Sequence, residues 1–234
     1  MLFPALVAAD DRYPRAVIAR PLTLPQAIVV VGGDVGANND LSAVGGTPIV
    51  GVGITDNLEV QVPYAFAARE LEPRGSLNID VGYKLVRGAL DGKLEIIARA
   101  RAGYSLLDDD AMPCSLGVHV QYNVLPWLAV ITGAPGTEQV RFDNPSVDLS
   151  LPVAIGVQVS PVVYMQLDTK LAQIALHDSD NMMLGADTTP IALTAVWNAW
   201  HALDVQAAIG TDLTTGPGDA LWFLVGARYY AGSL

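Results

Sequence analysis

The chain contains 234 residues, of which 51% are hydrophobic and only 16% charged, and its mean hydropathy is +0.36. Its net charge of −11, without a basic stripe to release phosphate counterions, argues against a nucleic-acid partner. No apolar run approaches the roughly 18–20 residues that a membrane helix needs, so the apolar side chains either fill a core or face lipid from a β-barrel. The single Cys114 rules out an internal disulfide and a CxxC metal site.

The first predicted strand begins at residue 25, so we interpret residues 1–24 as an N-terminal arm and residues 25–234 as one β-barrel domain. The apolar segment Met1–Ala9 ends on two alanines before Asp10, as the end of a signal peptide would, but it contains no basic residue. The segment is either the remnant of a signal peptide or part of a mature arm, and both interpretations stay open.

Apolar and polar residues alternate with a period of two along much of the chain. The segment 58–66 puts five apolar side chains on one face and Glu59 and Gln61 on the other, and segments 77–85 and 94–104 repeat the pattern. Side chains of a β-strand point alternately to opposite faces, so this pattern predicts strands.

Read through the whole chain, the pattern predicts about twelve strands. They lie near residues 25–37, 46–54, 58–68, 76–86, 93–106, 114–123, 127–133, 146–159, 162–174, 188–198, 203–213 and 219–230. Tight turns are predicted at residues 55–57, 88–92, 125–126, 160–161 and 199–202, and longer polar loops near 38–45, 69–75, 107–113, 134–145, 175–187 and 214–218. Short turns on one rim and longer loops on the other are the rule in transmembrane barrels, and an even strand number puts both termini on the short-turn rim.

Alternation alone does not decide whether the apolar face points inward or outward, because soluble barrels alternate as well. A dozen apolar faces would overfill one small soluble barrel, and the opposite faces are rich in Gly, Ala, Asn and Gln, which suits a lumen. We therefore expect the apolar faces to contact lipid. Their predicted members include Val60, Val62, Ile79, Val81, Ile96, Leu149 and Val157.

Aromatic residues cluster at the predicted strand ends. Such a distribution is typical of the aromatic girdles that lie at the two membrane–water interfaces. The predicted girdle residues are Tyr122, Trp127, Trp197, Trp200, Tyr229 and Tyr230.

Two short motifs carry a resemblance to a known class. The segment Gly53-Ile-Thr-Asp-Asn-Leu-Glu-Val resembles a periplasmic hairpin turn of Gram-negative outer-membrane barrels, and the last strand, 221–230, is similar to their C-terminal insertion signal. The chain departs from that signal by continuing to Leu234. The resemblance is to porin-like barrels in general and to no single family. It implies an all-β, transmembrane, antiparallel up-and-down barrel in the outer membrane of a Gram-negative bacterium, in contact with outer-membrane lipids.

The sequence contains no recognisable catalytic constellation. Outer-membrane phospholipases place His and Ser two residues apart on a strand, whereas His119 is followed by Val120 and Gln121. No Ser-His-Asp arrangement follows from the spacing, although nucleophilic catalysis needs the three groups within hydrogen-bond reach. We expect no enzyme activity, no metal site and no cofactor.

The polar faces predict a lumen that contains most of the ionisable strand residues. The predicted pore-lining residues are Glu59, Asp80, Lys84, Glu95, Arg99, Arg101, His119, Gln121, Asp148, Asp168, Asp204 and Arg228. About twelve strands enclose a space wide enough for a narrow aqueous path, but side chains can also fill it. Two functions stay open: a narrow porin for ions and small polar solutes, and a structural barrel closed by salt bridges. Whether the barrel forms homo-oligomers stays open too.

The order of the strands also predicts where charges meet. If each loop is symmetric about its midpoint, Asp80 lies opposite Arg99 or Arg101, Glu59 opposite Lys84, and Arg101 opposite His119. An Arg/Lys wall on the fourth to sixth strands then faces an Asp wall on the eighth to eleventh. Because few cations accompany the Asp wall in the sequence, we expect a mild preference for cations.

Overall fold

The computed structural model describes residues 13–69, 72–105, 114–133, 140–143, 146–177, 181–184, 189–214 and 220–232. Their strands are β1 (Val29–Asn38), β2 (Ala43–Thr55), β3 (Leu58–Arg69), β4 (Glu72–Gly88), β5 (Leu94–Ser105), β6 (Cys114–Leu125), β7 (Leu128–Thr132), β8 (Val140–Asp143), β9 (Ser146–Ser160), β10 (Val163–His177), β11 (Asn181–Leu184), β12 (Pro190–Trp200), β13 (Leu203–Asp212) and β14 (Trp222–Ala231). A 3₁₀ turn at Val17–Ala19 and a tight turn, α1 (Ala89–Gly92), in which Leu90 and Asp91 have positive φ, complete them. None of the described helices has the length and hydropathy to cross a membrane.

The strands form one closed antiparallel barrel. Most strands pair with their neighbours in the chain, and β14 pairs with β1 along their full length. The segments β7 and β8 each pair with both β6 and β9, and β11 and β12 each pair with β10. The two segments of each set therefore occupy one strand position in the wall. The fourteen segments therefore make twelve barrel positions. This confirms the predicted antiparallel up-and-down barrel of about twelve strands.

Five hairpins have short connections on one rim, where β1 begins and β14 ends. The opposite rim differs from the prediction, because β4 already begins at Glu72 and β8 and β11 lie inside two predicted loops, 134–145 and 175–187. The residues that extend β4, 72–75, show no alternation of apolar and polar side chains, and β8 and β11 contain only four residues each, so no pattern marks them as strands. Most of the predicted loops at 107–113 and 214–218 lie outside the described residues.

The outer surface of the barrel is apolar, as predicted. Large apolar side chains that are exposed on the outer face occur on most strands, and they include Val31, Val50, Val62, Ile79, Leu116, Ile155, Leu193, Ile209 and Val225. Val60, Val81, Ile96, Leu149 and Val157 lie on the same face by alternation and are half-buried among their neighbours. An apolar surface of this extent has no partner among the described residues, and a bilayer satisfies it.

The girdle prediction holds for the tryptophans and fails for one tyrosine. Trp127, Trp197 and Trp200 are exposed on the outer face near the short-turn rim. Tyr230 instead points into the barrel, where it is buried and its ring centroid lies 4.6 Å from that of Tyr13. In β14 the inward face carries the even-numbered residues, so Tyr229 faces outward and Tyr230 cannot.

The register of the strands agrees with one of the three predicted charge pairs. Asp80 lies opposite Arg101, as predicted. Glu59 lies opposite Gly82 and not Lys84, and Arg101 lies opposite Ser115 and not His119, so those two pairs are wrong. Closing a barrel imposes a stagger between neighbouring strands, so a loop need not be symmetric about its midpoint.

The chain enters the barrel wall four residues later than predicted. Ala27 has a φ of 63°, and this turn lets residues 25–28 bend from the lumen into β1. The Ala27 amide donates to the Gly53 carbonyl at 2.8 Å, and the Gly53 amide donates to the Ile28 carbonyl at 2.9 Å. Residues 13–28, hereafter the arm, thus lie against the inner side of the short-turn rim. The predicted signal-peptide remnant, 1–9, lies outside the described residues.

Replacing Gly53 with valine is expected to displace the arm. A Cβ atom at this position would overlap the carbonyl oxygens of Leu24 and Pro25, so the arm must move away from the wall. We expect faster proteolysis of the arm in the folded barrel, measured by N-terminal sequencing of the products. Gly88→Val is the control, because a Cβ atom there would lie 3.8 Å from the nearest neighbouring atom, the Gly92 Cα, although the turn itself is strained by its φ of 66°. Equal cleavage in the two variants would contradict the expectation.

Candidate channel lumen

The arm crosses the lumen and hydrogen-bonds to widely separated parts of the wall. The Ile18 amide donates to Gln158 Oε1 at 3.1 Å, and Gln121 Nε2 donates to the Ile18 carbonyl at 3.0 Å. Arg15 Nε donates to Asn198 Oδ1 at 2.7 Å, and at the other side of the barrel the Leu24 amide donates to Glu59 Oε2 at 2.8 Å. These four bonds hold an irregular segment across the short-turn end of the barrel.

A buried ion pair fastens the middle of the arm. Both terminal nitrogens of Arg20 donate to the Asp204 carboxylate, Nη2 to Oδ1 at 2.9 Å and Nη1 to Oδ2, and the two side chains are only 6% and 5% exposed. Asn198 Nδ2 donates to the same carboxylate at 2.8 Å. The guanidinium carbon lies 4.8 Å from the ring centroid of Tyr13 and 5.4 Å from that of Tyr230. Burial raises the pKa of the Tyr13 phenol, so it stays neutral beside this pair.

A second network of charges lies on the wall formed by β3, β4 and β5. Arg99 donates through Nη2 to Glu59 Oε1 and through Nη1 to Asp80 Oδ1 at 3.2 Å. Arg101 Nη2 donates to Asp80 Oδ2 at 2.8 Å. The amide of Gln61 adds a bond to Glu59 Oε1 at 3.2 Å. Alternation on three neighbouring strands aims all these side chains inward, which is why sequence patterns could find them.

The remaining predicted residues are spread around the lumen. Lys84 Nζ pairs with Glu95 Oε1 at 3.0 Å, and His119 is buried. Asp168 accepts from Gln166 Nε2 at 2.6 Å, and Arg228 Nη2 lies 3.4 Å from Asp34 Oδ2. The side chain of Asp148 lies outside those that the structure describes.

The predicted contrast between a basic and an acidic wall is wrong at Asp204. The sequence interpretation assigned this carboxylate to an Asp wall with few cations nearby, whereas Arg20 pairs with it directly. The arm has no periodic pattern, so nothing local in the sequence indicates that its arginine enters the lumen. The composition of the arm is the one available signal. A largely apolar segment that precedes a barrel and contains two arginines and several prolines is not expected to remain in water.

The arm lies between two of the cavities that border it. One, of about 350 Å³, opens at the short-turn rim and is lined by Ile18, Arg20, Asp56, Arg87 and Lys93 among others. The other, of about 370 Å³, lies on the far side of the arm and is hereafter the upper cavity. Its lining includes Tyr13, Leu22, Asp34, Glu59, Asn78, Asp80, Arg99, Arg101, Arg228 and Tyr230. Pro21 of the arm borders both cavities.

Comparison with known proteins places this barrel in a structural class. No protein-family model and no curated protein matches the sequence. Among solved structures, the KdgM porin superposes with a TM-score of 0.62 at 7% identity over 86% of this chain and 98% of its own. The NanC porin gives 0.60 at 8% identity, over 87% and 100%. An outer membrane channel from Pseudomonas putida F1 gives 0.53 at 13% identity, over 98% and 100%. The chain therefore has the fold of the outer-membrane porins and channels.

Proposed function

We propose that this protein is a narrow outer-membrane channel for ions and small polar solutes in a Gram-negative bacterium. The observation that carries the proposal is the pair of cavities, about 350 and 370 Å³, on the two sides of the arm, each lined in part by charged side chains. A barrel whose lumen is filled by salt bridges would leave no such space on either side. The three structural neighbours described above are porins and channels by name, which supports the same function.

A structural barrel is the second candidate, and the arm favours it. The arm crosses the lumen through four wall contacts and a buried ion pair, and these contacts obstruct the direct path between the cavities. The two functions differ in whether ions pass. The arm then acts as a constriction in a channel and as a plug in a structural barrel.

Planar-bilayer recording of the purified barrel separates the two functions. We expect step-like conductance, because small ions need only a narrow hydrated gap beside the arm. Asn78→Trp, which introduces a large ring into the upper cavity, is expected to lower the conductance severalfold. Ile79→Trp is the matched control, because the neighbouring side chain is exposed on the outer face and its replacement leaves the lumen unchanged.

The result that overturns the channel is insertion without conductance. Insertion is checked independently by protection of the barrel from protease in liposomes. Equal conductance of the two tryptophan variants would show that ions do not pass through the upper cavity.

A further inference from the structure

The charged groups that line the upper cavity are not equally accessible. Among its three arginines and three acids, the carboxylates of Glu59, Asp80 and Asp34 belong to side chains only 2%, 4% and 15% exposed. The side chains of Arg101 and Arg228 are 27% and 36% exposed. The cluster is neutral in total, but its accessible surface is cationic.

Hydrogen bonding adds to this asymmetry. A carboxylate is an acceptor only, and both Glu59 and Asp80 already accept from at least two donors each. A guanidinium has five N–H donors. The described contacts of Arg228 to a carboxylate consist of one at 3.4 Å, from Nη2, and its Nε is buried without a partner among the described residues. The terminal nitrogens of Arg228 therefore keep N–H donors for a further acceptor.

The arm and the adjoining wall supply an apolar surface to the same cavity. Tyr13, Leu22 and Leu24 of the arm border it together with Val30 of β1 and Tyr230 of β14, whose ring packs against that of Tyr13. Its volume of about 370 Å³ is that of about a dozen water molecules in the liquid. A solute that fits has one anionic end and a small hydrophobic body.

We propose that the upper cavity is a binding site for small organic carboxylates with a hydrophobic body. The carboxylate accepts hydrogen bonds from the Arg228 guanidinium, and the hydrophobic part lies against the paired rings of Tyr13 and Tyr230 and the leucines of the arm. Planar guanidinium groups suit carboxylates because they can donate two parallel hydrogen bonds. This inference rests on the proposed channel function, because it names the class of solute that the lumen selects. A site for carboxylates also replaces the cation preference that the sequence predicted.

Calorimetric titration of the detergent-solubilised barrel tests the site without requiring conductance. Benzoate is the probe, and benzamide, its uncharged analogue of similar shape, is the matched ligand. We expect saturable binding of benzoate and at least about tenfold weaker binding of benzamide, because hydrogen bonds to a charged group are the stronger ones. Arg228→Gln is expected to weaken benzoate binding about tenfold.

Two further variants keep the test independent of folding. Arg228→Lys retains the positive charge beside Asp34 and is expected to weaken benzoate binding severalfold, because an ammonium cannot donate two parallel hydrogen bonds. Lys170→Gln removes an inward cation of β10 that is not among the lining residues of the upper cavity, and it is expected to leave the affinity unchanged. Equal binding of benzoate and benzamide, no binding of either, or the same loss in both the Arg228 and Lys170 variants would overturn the proposal.

Bilayer recordings separate failure of this inference from failure of the channel. In a KCl gradient we expect the reversal potential to indicate a preference for chloride, and we expect Arg228→Gln to reduce it. Conductance without this preference would overturn the inference and leave the channel standing. Benzoate binding without any conductance would support the binding site and refute the channel.

Discussion

Replacing Arg20 with alanine is expected to raise the single-channel conductance severalfold. The substitution leaves the Asp204 carboxylate buried without its cation, and removing one partner of a buried ion pair typically costs about 3–5 kcal/mol. The arm can escape that cost by leaving the wall, which lets water reach Asp204. Because the arm lies between the two cavities, its release opens the lumen, and single-channel recording measures the increase.

The double variant Arg20→Met with Asp204→Leu is the matched control. Replacing both charges with apolar groups of similar size is often neutral or stabilising, so the arm should stay in place and the conductance should stay near that of the unmodified protein. An unchanged conductance in the alanine variant would show that the hydrogen bonds of Ile18 and Leu24 hold the arm without the ion pair. An equal increase in both variants would show that the ion pair has no specific role.

Replacing Val81 with arginine is expected to lower the free energy of unfolding in the membrane by about 2–4 kcal/mol. Val81 lies on the outer face near the middle of β4, which runs from Glu72 to Gly88, so the new charge would lie at mid-bilayer. Equilibrium unfolding by denaturant in liposomes measures the change.

Leu85→Arg on the same face of β4 is the control for depth. Leu85 is exposed and lies closer to the short-turn rim, where an arginine reaches the interface and typically costs about 0–1 kcal/mol. A cost at position 81 no greater than that at position 85 would contradict the assigned position of the bilayer.

Alternation of apolar and polar residues determines most of the barrel wall. A side chain's direction in a strand depends only on its place in a period of two, so Glu59, Asp80, Arg99 and Arg101 could be assigned inward from local sequence. The number of strands followed from the same signal and from the turn residues between the strands. The outward face followed from composition, because so much apolar surface exceeds what one small barrel can enclose.

The strand register and the strand extensions at the rim opposite the short turns depended on the tertiary structure. Barrel closure sets the stagger of neighbouring strands, and it moved the predicted partners of Glu59 and Arg101 by two and four residues. The hairpin between β3 and β4 extends into residues 72–75, where apolar and polar side chains no longer alternate, so the sequence did not predict it. Neither property is local to a strand.

The arm is the clearest feature that only the tertiary structure decides. Its sequence carries two arginines and a tyrosine without any period, so their targets could not be predicted. Only the closed barrel brings Asp204 of β13, Asn198 of β12 and Glu59 of β3 around one space that the arm can cross. The sequence by itself therefore determined a barrel with a polar interior. The tertiary structure decided which charges that interior exposes, because an ion pair between segments 184 residues apart depends on distance in space and not on spacing in the chain.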